Sequence, residues 1–313
     1  MQSFQMLLRF KTIFMGCCQQ NQTFSDPMEL DIRKENPLLV SKKLDINLKT
    51  ENDISAQRIE LTTAEDETVS KHPRLKLTVT EGDILPSGQE FIINDRGLES
   101  NESQKTDGTV NIGKSKHTKE TKDELNDITL DDYTVGDRHC IIKYNPNLKR
   151  YFIKDQGDGS GTFVKVKAPM KVKNGTVISF GESHLVVQIM QPKNLKSSVR
   201  KSLRALSLED LDKDFLVIKF LDGPKASQVF NFGPEAFEVK IGRANDCHVK
   251  FEGNNLSRYQ CNFKYVDSQW HVCDGTGKKP SANGTWIFVD KFQEIKPGMK
   301  IKIGQSHFRV SII

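Results

Sequence analysis

From Arg74 onward apolar and polar residues alternate with a period of two, so Leu75, Leu77 and Val79 fall on one side of an extended chain. The same kind of run recurs as Phe91-Ile92-Ile93, Val110-Asn111-Ile112, Cys140 to Tyr144, Arg150 to Ile153, Thr162 to Val166, Val177 to Phe180 and Leu185 to Ile189. Gly, Asn and Asp separate these runs, and many short strands between such turns predict a sandwich or barrel. Two polar stretches, 95–108 and 114–125, are expected to form surface loops. Before all of this, residues 19–70 are polar with no sustained period, which predicts a disordered or weakly helical arm.

The alternation lapses between 191 and 213, where Leu195, Val199, Leu203, Leu206 and Leu211 take helical spacing and predict a short linking helix. It resumes at Phe215 and continues through Leu216 to Phe220, Val229 to Phe232, Phe237 to Ile241, Val249 to Phe251, Cys261 to Tyr265, Trp270 to Val272, Thr285 to Phe288, Lys300 to Ile303 and Phe308 to Val310. The two β-rich units end alike. Asn174-Gly175 through Phe180-Gly181-Glu182-Ser183-His184-Leu185 parallels Pro297-Gly298 through Ile303-Gly304-Gln305-Ser306-His307-Phe308. We expect an all-β chain with two like sandwiches in tandem, organised as an arm (1–70), a first unit (71–190), a linker (191–213) and a second unit (214–313).

Composition narrows the function classes. The hydrophobic share of 36% is low for a fully globular chain, in keeping with a long unpacked arm. A formal charge of +5 is a mild excess, short of the concentrated charge of a nucleic-acid binder, so no nucleic-acid partner is expected. The six cysteines have neither metal-finger nor disulfide-framework spacing, which suits reduced thiols in the cytoplasm, with the nucleus open as well. No apolar run approaches the roughly 18 to 20 residues of a membrane span. Met15-Gly16-Cys17-Cys18 has another use if translation starts at Met15: Gly16 becomes an acceptor for an acyl chain, and Cys17 and Cys18 acceptors for a second. That would tether the protein at a membrane surface; the alternative is a plain polar tail with two ordinary thiols.

The candidate chemistry lies in the last hundred residues. Gly242-Arg243, Ser257-Arg258 and Ser281-Ala282-Asn283-Gly284-Thr285 each adjoin a predicted strand. They supply two guanidinium forks, a hydroxyl and an amide, the donor set that a phosphate ester on an extended peptide requires. A glycine after Asn283 permits the tight turn that presents the amide. In this order the motifs resemble the forkhead-associated (FHA) domain, closely over about 215–313 and loosely over about 74–190.

The resemblance implies a phosphothreonine-binding β-sandwich. It assigns phosphate contact to Arg243, Ser257 and Arg258, peptide-backbone contact to Asn283, and loop shaping to Gly242, Gly284 and Thr285. Gln260 stands where the family usually has a structural His, and Ala282 where it often has Thr, changes expected to tune affinity. The first unit departs further, with Lys114 for the Arg, Gly136 for the Ser, Asp137 for the second Arg and Ser160 for the Asn. Asp137 and Asp158 would repel a phosphate dianion, so the first unit is expected to keep the framework without the site.

The expected protein is an adaptor that binds phosphothreonine-containing partners, with no enzyme activity, cofactor, metal site or small-molecule substrate. The rivals are a phosphate-independent scaffold, a self-associating sandwich and, on the match of Gly108 to Ser115 to G-x-x-x-x-G-K-S, a P-loop NTPase. The polar surroundings of that match lack the buried strand and apolar helix that a P-loop needs.

Overall fold

A computed structural model describes residues 72–100, 107–114, 126–191 and 213–313. The arm expected over 1–70 lies outside the described residues, as does the expected linker helix apart from its end residues 191 and 213.

The first repeat contributes β1 (Leu75–Glu81), β2 (Glu90–Asn94), β3 (Gly97–Leu98), β4 (Thr109–Gly113), β5 (Ile128–Thr129), β6 (Cys140–Asn145), β7 (Arg150–Asp155), β8 (Thr162–Lys165), β9 (Met170–Lys171), β10 (Val177–Phe180) and β11 (Ser183–Met190). The second contributes β12 (Phe215–Phe220), β13 (Val229–Phe232), β14 (Glu238–Gly242), β15 (Val249–Lys250), β16 (Cys261–Val266), β17 (Gln269–Asp274), β18 (Trp286–Phe288), β19 (Gln293–Glu294), β20 (Lys300–Ile303) and β21 (Ser306–Ile312). Apart from two single 3-10 turns, the described residues are strands and loops. Period-two patterning thus gives an all-β architecture. One local difference concerns Leu98, inside a stretch expected as surface loop: it pairs with Ile93 as part of β3 and is buried.

The strands do not pair within their own repeats throughout. One sheet has eleven strands in the order β13-β12-β11-β10-β18-β8-β20-β21-β1-β2-β3. Two five-stranded sheets pack against it, β15-β14-β16-β17-β9 and β19-β7-β6-β4-β5. The last three strands of each repeat are therefore exchanged. β9 to β11 complete a second sandwich with β12 to β18, and β19 to β21 complete a first sandwich with β1 to β8. The sequence reading closes one unit at 190 and opens the next at 214, whereas the pairing here crosses between the repeats at 166–169 and 289–292.

The exchange follows from the likeness of the repeat ends. β10–β11 and β20–β21 carry the same strand–turn–strand pattern, so either hairpin can bury its apolar face against either sandwich. What the exchange adds is a seam. β8 and β18 pair antiparallel, with Lys165 opposite Trp286, Val164 opposite Ile287 and Phe163 opposite Phe288. The Phe163 and Phe288 rings stand 5.6 Å apart. Joining the half-sheets here covers two strand edges that would otherwise be open to water. Leu77, Val164, Ile178, Ile287, Ile301 and Phe308 belong to one continuous buried core that runs through both sandwiches.

Candidate functional site

The three motifs of the second repeat come together at one end of the second sandwich. Gly242 ends β14 and lies against the 257–260 loop so closely that a Cβ there would collide with the Arg258 carbonyl oxygen. That approach lets the Arg243 N–H donate to the Ser257 carbonyl (3.2 Å) and the Ala244 N–H to the Arg258 carbonyl (3.0 Å). The Arg243 Nε donates to the Leu256 carbonyl at 3.0 Å, which anchors the exposed guanidinium over the loop. From the third motif, the Ala282 N–H donates to Ser257 Oγ (2.9 Å) and Asn283 Nδ2 to the Asn255 carbonyl (3.1 Å). Arg243, Ser257, Arg258 and Asn283 thus share one rim. Ser257 Oγ accepts from the protein and keeps its own proton to donate.

Gln260 holds this rim from below. It is fully buried, and its Nε2 donates to Ser281 Oγ (2.9 Å) and to the Gly284 carbonyl (3.0 Å). Its Oε1 accepts the Ser257 N–H at 3.4 Å, and its backbone carbonyl accepts from Thr285 Oγ1 at 3.1 Å. His139 holds the equivalent position in the first repeat, where its Nδ1 accepts the Gly136 N–H at 3.2 Å. The Gln amide oxygen therefore does at Ser257 what the imidazole nitrogen does at Gly136. The carboxamide nitrogen then reaches the Asn-Gly loop as well.

Asp274, which sequence reasoning passed over, supports the same loops. Its Oδ1 accepts from Ser281 Oγ (2.6 Å) and Thr285 Oγ1 (2.8 Å). The available signal was the matching Asp155 at the end of β7. Gly284 has a φ of 74°, a left-handed conformation that disfavours a side chain at this turn.

Charge at the rim is cationic. Among the described residues no carboxylate pairs with Arg243 or Arg258. The acid on the neighbouring loop, Asp246, is engaged by Lys240 Nζ (2.9 Å) and Tyr259 OH (2.9 Å). The Lys240 hydrogen bond, followed by that of Tyr259, holds the Asp246 carboxyl below its ordinary range.

The first repeat builds the same cradle and fills it. The Lys114 N–H donates to the Gly136 carbonyl at 2.8 Å, as Arg243 does to Ser257. A Cβ on Gly136 would run into the Asp158 side chain, whose Oδ2 accepts the Arg138 N–H at 3.2 Å. A carboxylate thus occupies the space that the Ser257 side chain takes in the other repeat.

A model of the FHA domain matches the chain twice, over residues 110–181 and 239–304. This chain is an FHA-domain protein with two such domains in tandem. FHA domains are in general phosphothreonine-binding protein-interaction modules rather than catalysts. No curated protein matches the chain. Each matched FHA segment ends in a strand, β10 or β20, that lies in the other sandwich.

The P-loop rival meets a direct obstacle. Thr109–Gly113 is strand β4, paired with β6 and β5, so its backbone serves a sheet ladder instead of cradling phosphates. Gly16, Cys17 and Cys18 lie outside the described residues. Among the described residues, no three His, Cys, Asp or Glu side chains gather in a way that could hold a metal ion.

Proposed function

We propose that the protein is a phosphothreonine-dependent adaptor that captures phosphorylated partners on the rim of the second FHA domain. The observation that carries this reading is the gathering of Arg243, Ser257, Arg258 and Asn283 on one braced loop cluster, where among the described residues no carboxylate pairs with either arginine. Arg243 and Arg258 supply paired donors for the phosphate oxygens, Ser257 a third donor, and Asn283 a donor and acceptor for the peptide backbone. The first FHA domain serves as a structural partner, since Asp158 fills its cradle with negative charge.

The N-terminal Gly16, Cys17 and Cys18 would, when acylated, place this reader at a membrane from the cytoplasmic side. A chain beginning at Met15 should then incorporate labelled myristate, and its Gly16→Ala version should not; equal labelling removes the tether from the proposal.

The binding test is Arg243→Ala. A desolvated charge-assisted contact of this kind contributes about 1.5–3 kcal/mol, so affinity for a phosphothreonine peptide should fall roughly tenfold to 150-fold. Circular dichroism should be unchanged, and the unphosphorylated peptide should bind neither version. Binding that ignores both the phosphate and Arg243 would instead mark a phosphate-independent scaffold.

A further inference from the structure

Asn283 and Ala282 face two ways. One side belongs to the rim, and the other lines a cleft of about 350 Å³ at the seam between the sandwiches. Opposite them stand Lys165 of β8 and Lys300 and Lys302 of β20, all contributed by the first sandwich. Trp286 connects the two sides. Its Nε1 donates to the Asn283 carbonyl at 3.1 Å, and Lys165 Nζ lies 5.7 Å from the centre of its ring. Lys165 also packs on the motif itself, since a Cβ on Gly284 would come within 2.5 Å of its Cε.

Three ammonium groups here face one lining carboxylate, Glu81, and that carboxylate is already hydrogen-bonded to His307 Nδ1 at 2.7 Å. Lys302 is half-buried between Phe163 and His307 on the neighbouring strands, and among the described residues no carboxylate pairs with it. Burial holds its ammonium below the ordinary lysine range. A desolvated, unpaired cation in an open cleft gains most from an incoming anion.

We propose that this cleft receives an anionic side chain, carboxylate or phosphate, from the stretch of the same peptide that flanks the phosphothreonine. The protein then reads two negative charges at a fixed separation, the first on the FHA rim and the second on lysines of the other sandwich. The exchanged strands make this specificity, because β8 and β18 meet only at the seam. It rests on the phosphopeptide reading above.

The experiment titrates the full chain with a phosphothreonine peptide whose flanks are uncharged, then with a series carrying one glutamate or one further phosphothreonine at each flanking position in turn. At one or two positions the added charge should tighten binding roughly fivefold to twentyfold. Lys300→Gln/Lys302→Gln should lose that gain while binding the uncharged-flank peptide within about twofold of the parent. No gain at any position, or a gain that survives the double substitution, overturns the proposal.

Lysine acetylation mapped by mass spectrometry separates this outcome from failure of the rim. If the singly phosphorylated peptide does not bind, the rim reading fails by itself. The cleft is then tested by whether a glutamate-rich peptide slows acetylation of Lys300 and Lys302; unchanged acetylation overturns it. Protection by inorganic phosphate with none by the peptide would make it a small-anion pocket and would also overturn the proposal.

Discussion

A single buried side chain, Gln260, ties together the three loops that carry the candidate site. Replacing it with Ala removes the acceptor of the Ser257 N–H and the donor that meets both the Ser281 hydroxyl oxygen and the buried Gly284 carbonyl, while the Ser281 hydroxyl keeps its own bond to Asp274. Each such loss costs about 1 kcal/mol or more, so Gln260→Ala should lower unfolding free energy by about 2–4 kcal/mol in urea denaturation. Gln260→His should recover part of this, because His139 makes the corresponding bond in the first repeat. Equal loss in both versions would show that the amide geometry, and not the acceptor at Ser257, is what matters. Thiol chemistry offers a second residue-scale check. Burial raises the Cys140 and Cys261 thiols and leaves both inaccessible, whereas Cys247 is half-buried. Among the thiols of the described residues, iodoacetamide on the native protein should therefore modify Cys247 first, by peptide mapping, with Cys140 and Cys261 reacting only on unfolding.

At the scale of elements, the β1–β21 pair joins the two ends of the described chain and carries a pH-sensitive contact. His307 on β21 bonds Glu81 on β1. Burial outweighs the Glu81 carboxylate and holds the His307 imidazole below its ordinary 6.5. The unfolded chain therefore takes up this proton first, and stability falls as pH drops from about 6.5 through the lower folded value. The His307 hydrogen bond, chiefly, holds Glu81 below its ordinary 4.5. Its contribution is present above about 4.5 and is lost on further acidification through the lower folded value. Both act in the same direction. A melting-temperature profile should decline below about pH 6.5, and His307→Gln should flatten its first part and also weaken the Glu81 share of the fall at lower pH, since His307 is the chief cause of that shift. An unchanged profile would remove His307 as the source.

For the whole molecule, the consequence of strand exchange is interlocking. Each sandwich contains strands from both sides of the 191–213 segment. A protease site placed within 192–212 and cut in the native protein should therefore leave two fragments that co-elute in size exclusion without denaturant. Units closed within residues 71–190 and 214–313 would come apart under the same treatment. Cooperativity should follow the same logic, with tryptophan fluorescence, dominated by Trp270 and Trp286, and far-ultraviolet dichroism tracing one coincident transition.

Much of this is legible in the sequence. Strand periodicity and the matching ends at 174–185 and 297–308 were enough to read an all-β chain with two like units. The order of Gly242-Arg243, Ser257-Arg258 and Asn283-Gly284 was enough to nominate a rim, because residue type and turn chemistry are local properties. The Gln260 and Asp274 braces were harder to see, since each acts across more than one loop. Strand partners and the lysine cleft were out of reach. Two repeats with like ends offer the same hairpin two equivalent sites, and a pattern that satisfies both cannot choose between them. Lys165, Lys300 and Lys302 are spread over more than a hundred residues of chain and meet Asn283 only where the exchanged strands close the seam. Local alternation thus settled what the strands are, and only the tertiary structure, through long-range pairing, decided whose strands they become and which charges then face one another.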